Sequence, residues 1–223
     1  LSFPIASTQD TVVEGTETFT VTLGSATATV VNPTITTNIT DNDTSAITLS
    51  GPSTVAEGAT TGAYTVSLTN GIGLGAGQSV TFTLDSASGT ATEGTDFSAL
   101  VAAGLTGAAN IALSNITTDA NGTIHVTATN NTGADLASGA ALLSFTIAST
   151  QDTVVEGTEN FTVTLGSATA TVVTPTITTN IIDDDTSGIT LSGPPTVAEG
   201  ATTGAYTVSL SGIGLGAGQS VTF

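Results

Sequence analysis

Apolar side chains fall on every second position in segment after segment of this chain: GAYTVSL (62–68), SVTFTLD (79–85), LLSFTIAS (142–149), ENFTVTLG (159–166) and PTITTNI (175–181). That period marks strands with one face buried and one wet. No stretch of ten residues carries the spacing of an amphipathic helix. The alternation turns Tyr64, Phe82, Phe145 and Phe161 inward, where they supply most of the aromatic core. Glycines and Asn-Gly pairs punctuate the strands, and DANG (119–122) reads as a hairpin turn. The pattern predicts an all-β chain.

The strands also repeat. Residues 5–31, IASTQDTVVEGTETFTVTLGSATATVV, return at 147–173 with one difference. Residues 47–68, ITLSGPSTVAEGATTGAYTVSL, return at 189–210, again with one difference. The offset is 142 residues as far as Asn70, which has no counterpart, and 141 beyond it. A unit of that size suits one sandwich domain with its own core. Three parts follow. Residues 1–43 are the C-terminal part of one repeat, 44–186 a complete repeat, and 187–223 the N-terminal part of the next.

Composition narrows the picture. Of the 223 residues, 39% are hydrophobic and only 8% charged; all the charged ones are acidic, giving a formal net charge of −18. The chain is too apolar for a disordered polyanion. Without Lys or Arg it has nothing to offer nucleic acid or an anionic membrane surface. No apolar run approaches the roughly 18 residues of a spanning helix, so no membrane insertion is expected in this segment. No signal peptide opens it either. The lack of cysteine excludes disulfide stapling and suits an extracellular bacterial protein stabilised by other means.

Strand direction gathers the acids. With the end that carries Glu57 taken as the top, GAYTVSL runs down, the Gly-rich turn 70–78 reverses the chain and SVTFTLD runs up. Loop 86–96 then lies at the top, the chain descends after Phe97, and 103–141 must hold an even number of strands. One hairpin, ANIALSN (109–115) then TIHVTAT (123–129), satisfies this. LLSFTIAS climbs to QDTVVEGTE (151–159), NFTVTLG descends, and PTITTNII rises to Asp183, Asp184 and Asp185. Glu57, Asp96, Asp152, Glu156 and the aspartate triplet therefore meet at one end of one domain. The matching motifs of the flanking parts hold Asp10, Glu14, Asp41, Asp43 and Glu199. With Glu17 and Glu159, these motifs contain 14 of the 18 carboxylates.

Two like charges at ~5 Å cost roughly 3 kcal/mol at an effective dielectric near 20. One reading is a solvated acidic face. The other is Ca²⁺, a hard cation that takes 6–8 oxygen ligands in adaptable geometry. With no His or Cys nearby, zinc and copper are poor candidates.

The segments VAEGATTGAYTVSL (55–68), SGTATEGTDF (88–97), DTVVEGTENFTVTL (152–165) and IIDDD (181–185) resemble, in that order, the Calx-β domain of sodium–calcium exchangers and bacterial surface proteins. The resemblance implies immunoglobulin-like antiparallel β-sandwich repeats in tandem, head to tail, with Ca²⁺ as the cofactor. It also implies metal ligands at Glu57, Asp96, Asp152, Glu156, Asp183, Asp184 and Asp185. Asp10, Glu14, Asp41, Asp43 and Glu199 are the matching metal positions of the flanking parts. Two departures stand out. Residues 103–141 are longer than the usual connection and are read as an inserted hairpin. Gln151 stands where some members carry a second acid, which leaves the ion count open. In the first part Asn42 replaces the middle acid of the triplet.

Other features read more plainly. Glu17 and Glu159 fall one turn beyond the motif and are expected at the surface. Glu93 and Asp85 either assist the top loop or face solvent. GIGLGAGQ (71–78) joins two strands and has no Lys beside it, unlike a phosphate loop. His125 is the sole histidine and is read as a strand residue. The six Asn-x-Thr sequons are expected by chance in a Thr-rich chain. An enzyme is not expected: a Ser-His-Asp set would need His125, away from the acids. A glycosidase pair would need carboxylates that coexist without a cation, and an aromatic cleft.

The expected function is that of a calcium-binding structural repeat of a secreted bacterial cell-surface protein, forming a calcium-stiffened stalk, fibre or adhesin shaft. Its partners are neighbouring repeats of the same chain. The alternative is a self-assembling surface-layer or filament subunit, a homo-oligomer with lateral or head-to-tail contacts. About three residues separate Asp185 from the next strand, GITLSG, so successive domains must nearly touch. That places the triplet beside the Gly-rich turn 211–219.

Overall fold

The computed structural model of the chain describes residues 1–25, 27–167 and 169–223. In the middle part the alternating segments form β1 (Ala46–Ser50), β2 (Thr54–Ala56), β3 (Tyr64–Leu68), β4 (Gly73–Leu74), β5 (Ser79–Ser88), β6 (Thr106–Gly107) and β7 (Ile111–Thr118). They continue as β8 (Ile124–Asn130), β9 (Ala141–Phe145), β10 (Val154–Val155), β11 (Glu159–Ser167), β12 (Thr171–Val172) and β13 (Thr176–Ile182). A five-stranded sheet runs in the order β12-β1-β3-β9-β6, and a six-stranded sheet in the order β7-β8-β5-β11-β13-β2. Among the described residues there is no α-helix, only a 3₁₀ turn at Ala102–Gly104. No helix among the described residues is long and apolar enough to cross a membrane.

The two sheets enclose one apolar cluster, drawn from Ile47 in β1 through to Ile181 in β13. Tyr64, Phe82, Phe145 and Phe161 are all buried, as period-2 alternation requires. Phe97 joins them from the loop after β5, which no strand pattern revealed. Its ring stacks on Phe161 with centroids 4.4 Å apart, while Tyr64 stacks on Phe145 at 5.2 Å. The Tyr64 hydroxyl, buried with its ring, hydrogen-bonds the Thr179 hydroxyl and so is not stranded in the core.

Most strand pairs are antiparallel, but β12 pairs with β1, and β13 with β2, in parallel. The cause is a sheet switch. The chain rises through β1 in one sheet, crosses at Gly51 and Pro52, and continues rising as β2 in the other. A Cβ on Gly51 would stand 2.2 Å from the Tyr64 ring, so only glycine lets the crossing pass over it.

Residues 103–141 form the expected hairpin, β7 with β8, around the turn Asp119–Gly122. The Asp119 carboxylate accepts hydrogen bonds from the amides of Asn121 (2.8 Å) and Thr123 (3.1 Å) and holds the turn. The hairpin extends the six-stranded sheet, because β8 pairs along β5. In addition, β6 pairs with β9, a contact the sequence did not announce. Strand β5 runs on to Ser88, three residues past the end of SVTFTLD.

The flanking parts form partial copies. Glu17–Thr22 pairs with Thr34–Ile39, and Gly188–Ser192 pairs with Thr207–Ser211. The Gly-rich turns make the joints. Val12–Val13 lies parallel to β4, and β10 lies parallel to Gly214–Leu215. In the first joint Gly73 N–H donates to the Thr11 carbonyl and Gly75 N–H to the Val13 carbonyl, both at 2.8 Å. The second repeats the latter bond, from Gly216 to Val155, at 2.8 Å. A Cβ on Gly75 would sit 2.8 Å from the Val13 carbonyl oxygen, which explains glycine at that point.

Candidate metal centre

The top of the middle unit is built from four chain segments. The residue after β2 is Glu57, whose own N–H donates to the Ile182 carbonyl at 3.0 Å. Its carboxylate accepts the Asp152 N–H at 2.7 Å, tying the end of β2 to the loop before β10. In that loop the Asp152 side chain caps the turn by accepting the Val154 N–H at 2.7 Å. Asp96 stands in the loop after β5; its carbonyl accepts the Thr150 N–H and its carboxylate the Thr92 N–H. The triplet continues β13, and Asp183 holds its own loop and the neighbouring one together. Its two oxygens accept N–H groups from Asp185 (3.2 Å) and Glu156 (3.1 Å). Gln151 donates to the Asp184 carboxylate at 3.2 Å.

Two groups of carboxylates result. In one, Glu57, Asp184 and Asp185 each offer an oxygen, all within 4.8 Å of one another. In the other, Asp96, Glu156 and Glu159 do the same. Asp152 and Asp183 line the same cavity as Glu57, Asp96, Glu156 and Glu159. That cavity holds about 10 Å³, room for one water-sized sphere. All seven residues expected at this end are there.

Glu159 is the correction. It is half-buried and part of the second group, not a surface residue. The signal was available: in β11 it lies two residues before Phe161, and it pairs across the sheet with the buried Ile181. Alternation therefore turns it inward at the end of the strand. Glu93 stays out of both groups, accepting a hydrogen bond from Ser86.

The electrostatics are those of acids forced together. Burial pushes the Glu159 carboxyl up to about 7, aided by the charges of Asp96 and Glu156. Burial first, then Asp152, Asp96 and Asp183, raises Glu156. Glu57 is raised by burial and by its acidic neighbours, although the Asp152 N–H works the other way. Asp185 is raised by burial and then by Asp183 and Asp184. One of its carboxylate oxygens is shut from solvent and has no hydrogen-bond partner. An orphaned buried oxygen beside two further carboxylates, with only oxygen donors in reach, fits a hard cation.

The flanking positions are not brought into such groups among the described residues. Asp10, Glu14, Asp41 and Asp43 line an open cleft of about 490 Å³ together with Glu17 and Asn42. Glu199 is exposed on the other flank. His125 projects from the outer face of β8, 3.8 Å from Asp119, with nearly half of its side chain in solvent. Asn130, the acceptor of one sequon, is fully buried and donates to the carbonyls of Leu74, Gly75 and Ala134, so it is structural.

Among solved structures, the chain is similar to the crystal structure of CBD12 from CALX1.2, with 19% identity over 63% of this chain and 46% of that one, at a TM-score of 0.40. It is similar to the apo-form Calx CBD1 domain, with 20% identity over 64% of this chain and 100% of that one, at 0.41. It is also similar to the calcium binding domain CBD12 of CALX1.1, with 20% identity over 62% of this chain and 44% of that one, at 0.38. It thus spans under half of the CALX1.2 and CALX1.1 chains. No curated protein matches it. The Calx-beta domain family matches over residues 2–44, 40–131 and 129–186, and the chain belongs to that family.

Proposed function

We propose that this chain is a run of calcium-binding Calx-β repeats, with 44–186 a complete unit, in the shaft of a secreted bacterial surface protein. Its role is mechanical: a stalk, fibre or adhesin shaft with no catalytic step. The observation that carries the reading is the convergence of eight carboxylates on one end of a chain that has no Lys or Arg to neutralise them. Ca²⁺ would be held by Glu57, Asp184 and Asp185 on one side and by Asp96, Glu156 and Glu159 on the other, with Asp152 and Asp183 between. The bound ion supplies positive charge; the protein's residues supply the oxygens and the loops that hold them.

The joint supports the mechanical part. Val154 and Val155, which pair with the next repeat's Gly-rich turn, lie between Asp152 and Glu156 in sequence. Whatever fixes those two acids also fixes the strand that makes the joint. An ion that binds only the folded state adds RT ln(1 + [L]/Kd), about 4 kcal/mol at a thousandfold excess over Kd. Thermal melting of the chain with chelator and with Ca²⁺ tests the reading. A large fall on chelation, restored by Ca²⁺ and less well by Mg²⁺, is expected. A melting curve indifferent to both leaves the solvated acidic face as the better account.

A further inference from the structure

The Gly-rich turn 70–78 is held from behind along its length by one short segment, residues 130–138. Gly71 N–H donates to the Ser138 hydroxyl at 3.0 Å. Leu74 and Leu136 exchange both backbone hydrogen bonds at 2.9 Å, so β4 is backed by an antiparallel bridge. Ala76 N–H donates to the Asp135 carboxylate at 3.2 Å, and Gly77 N–H to the Asn130 carbonyl at 2.8 Å. The Asn130 side chain is fully buried beneath the turn. Its amide donates to the carbonyls of Leu74 (2.9 Å) and Gly75 (3.0 Å), while its oxygen accepts the Thr132 N–H at 3.0 Å. A Cβ on Gly73 would stand 2.6 Å from the Leu136 carbonyl oxygen, so that glycine clears the backing segment as Gly75 clears Val13.

Strand β4 thus has one edge taken by 130–138 and the other paired with Val12–Val13 of the preceding repeat. A two-residue strand between glycines does not hold its shape alone, and glycine loses more freedom on ordering than any other residue. We infer that residues 130–138 are a clamp that preforms the turn as a docking edge for the preceding repeat, with Asn130 as its positioning residue. The partner that fits this edge is extended backbone between two acids, residues 11–13 between Asp10 and Glu14. It joins β4 as a strand adds to an exposed sheet edge, through main-chain hydrogen bonds. The clamp borders the partner as well. Asp135 lines the cavities on both sides of the joint, beside Glu14 and Glu17 on one and beside Thr11 and Val12 on the other. The inference rests on the joint as the mechanical contact of the shaft, and stands apart from whether calcium binds.

Hydrogen exchange of the intact chain, followed amide by amide by NMR in chelator and again in Ca²⁺, tests it. The Gly73 and Gly75 amides cross the joint to the Thr11 and Val13 carbonyls, so their exchange reads its opening. N130A removes two bonds to the turn and should speed both amides at least about tenfold. D135A with S138A, two exposed changes, should speed them by a smaller factor. Salt at about 0.15 M screens the charge lost with Asp135. The Gly216 amide crosses the second joint to Val155 from a turn that neither variant touches, and should exchange at its wild-type rate. Amides of the central strand β5 report the stability of the whole domain. Acceleration in β5 equal to that at the joint would make Asn130 a general stabiliser and overturn the inference. So would joint amides at the wild-type rate in the double variant, which carries the test by itself if N130A does not fold. A wild-type melt indifferent to calcium would overturn the calcium reading and leave these rates as they stand.

Discussion

The acidic loops of the first part and of the middle unit make the same local hydrogen bonds yet differ in what they enclose. Glu14 N–H donates to Asp41 at 3.0 Å, as Glu156 does to Asp183 at 3.1 Å. Asp10 caps Val12 at 3.0 Å, as Asp152 caps Val154 at 2.7 Å. Gln9 reaches Asn42 at 3.1 Å, as Gln151 reaches Asp184 at 3.2 Å. The cavities differ far more: about 490 Å³ and open in the first, about 10 Å³ in the second. In the middle unit β2 and the loop after β5 also bring in Glu57 and Asp96, whose counterparts are not among residues 1–43. A two-strand hairpin with its loops is enough to preform half of the acidic end. In the middle unit Glu57 and Asp96 complete it.

The sharpest way to break this comparison is paired substitution. D183N with D185N should remove most of the calcium-induced rise in melting temperature, a loss on the order of 10 °C. D41N with D43N should leave the middle unit's melt unchanged. Equal effects in calorimetry would mean that the open loops bind as well as the closed site.

The next largest effect comes from pH. Glu159 holds its proton more tightly when folded, up to about pH 7, than when unfolded, near 4.5. Between those values the folded state binds more protons, so stability of the cation-free protein falls as pH rises through the window. Melting temperature in chelator should therefore climb by several degrees from pH 7.5 to pH 5. In Ca²⁺ the trend should reverse, since protons compete with the ion for the same oxygens. Parallel pH trends in the two conditions would separate the raised carboxyl from the metal site.

E159Q follows in size. It removes a charge that burial and two acids oppose, so the cation-free melting point should rise, by about 1 kcal/mol of stability. The calcium response should shrink at the same time, readable by isothermal titration. Glu17 is its counterpart in the open cleft, and E17Q should change neither. N42D should do least of all. It restores the acidic triplet of the first part, but without counterparts of Glu57 and Asp96 it should add at most weak calcium binding. A gain as large as the middle unit's would show that the triplet alone makes the site.

The sequence by itself determined the class of structure and the membership of the acidic end. Alternation fixes which face of each strand is buried, and turn placement fixes which way each strand runs; together they sent Glu57, Asp96, Asp152, Glu156 and Asp183–Asp185 to one end. The same alternation, carried two residues back from Phe161, points Glu159 inward. Tertiary structure decided what no periodicity encodes. It placed Phe97 against Phe161, because a loop residue has no strand phase to betray its direction. It attached the β7–β8 hairpin to the edge of β5, because pairing partners distant in sequence are chosen by available edges. It chose Val12–Val13 and Val154–Val155 as the strands that the Gly-rich turns pair with, since strand direction and a short connection bring a turn near the acids but do not select its backbone partner. And it divided the carboxylates into two groups, because distances between loops depend on how the sheets pack and not on how the chain is spelled.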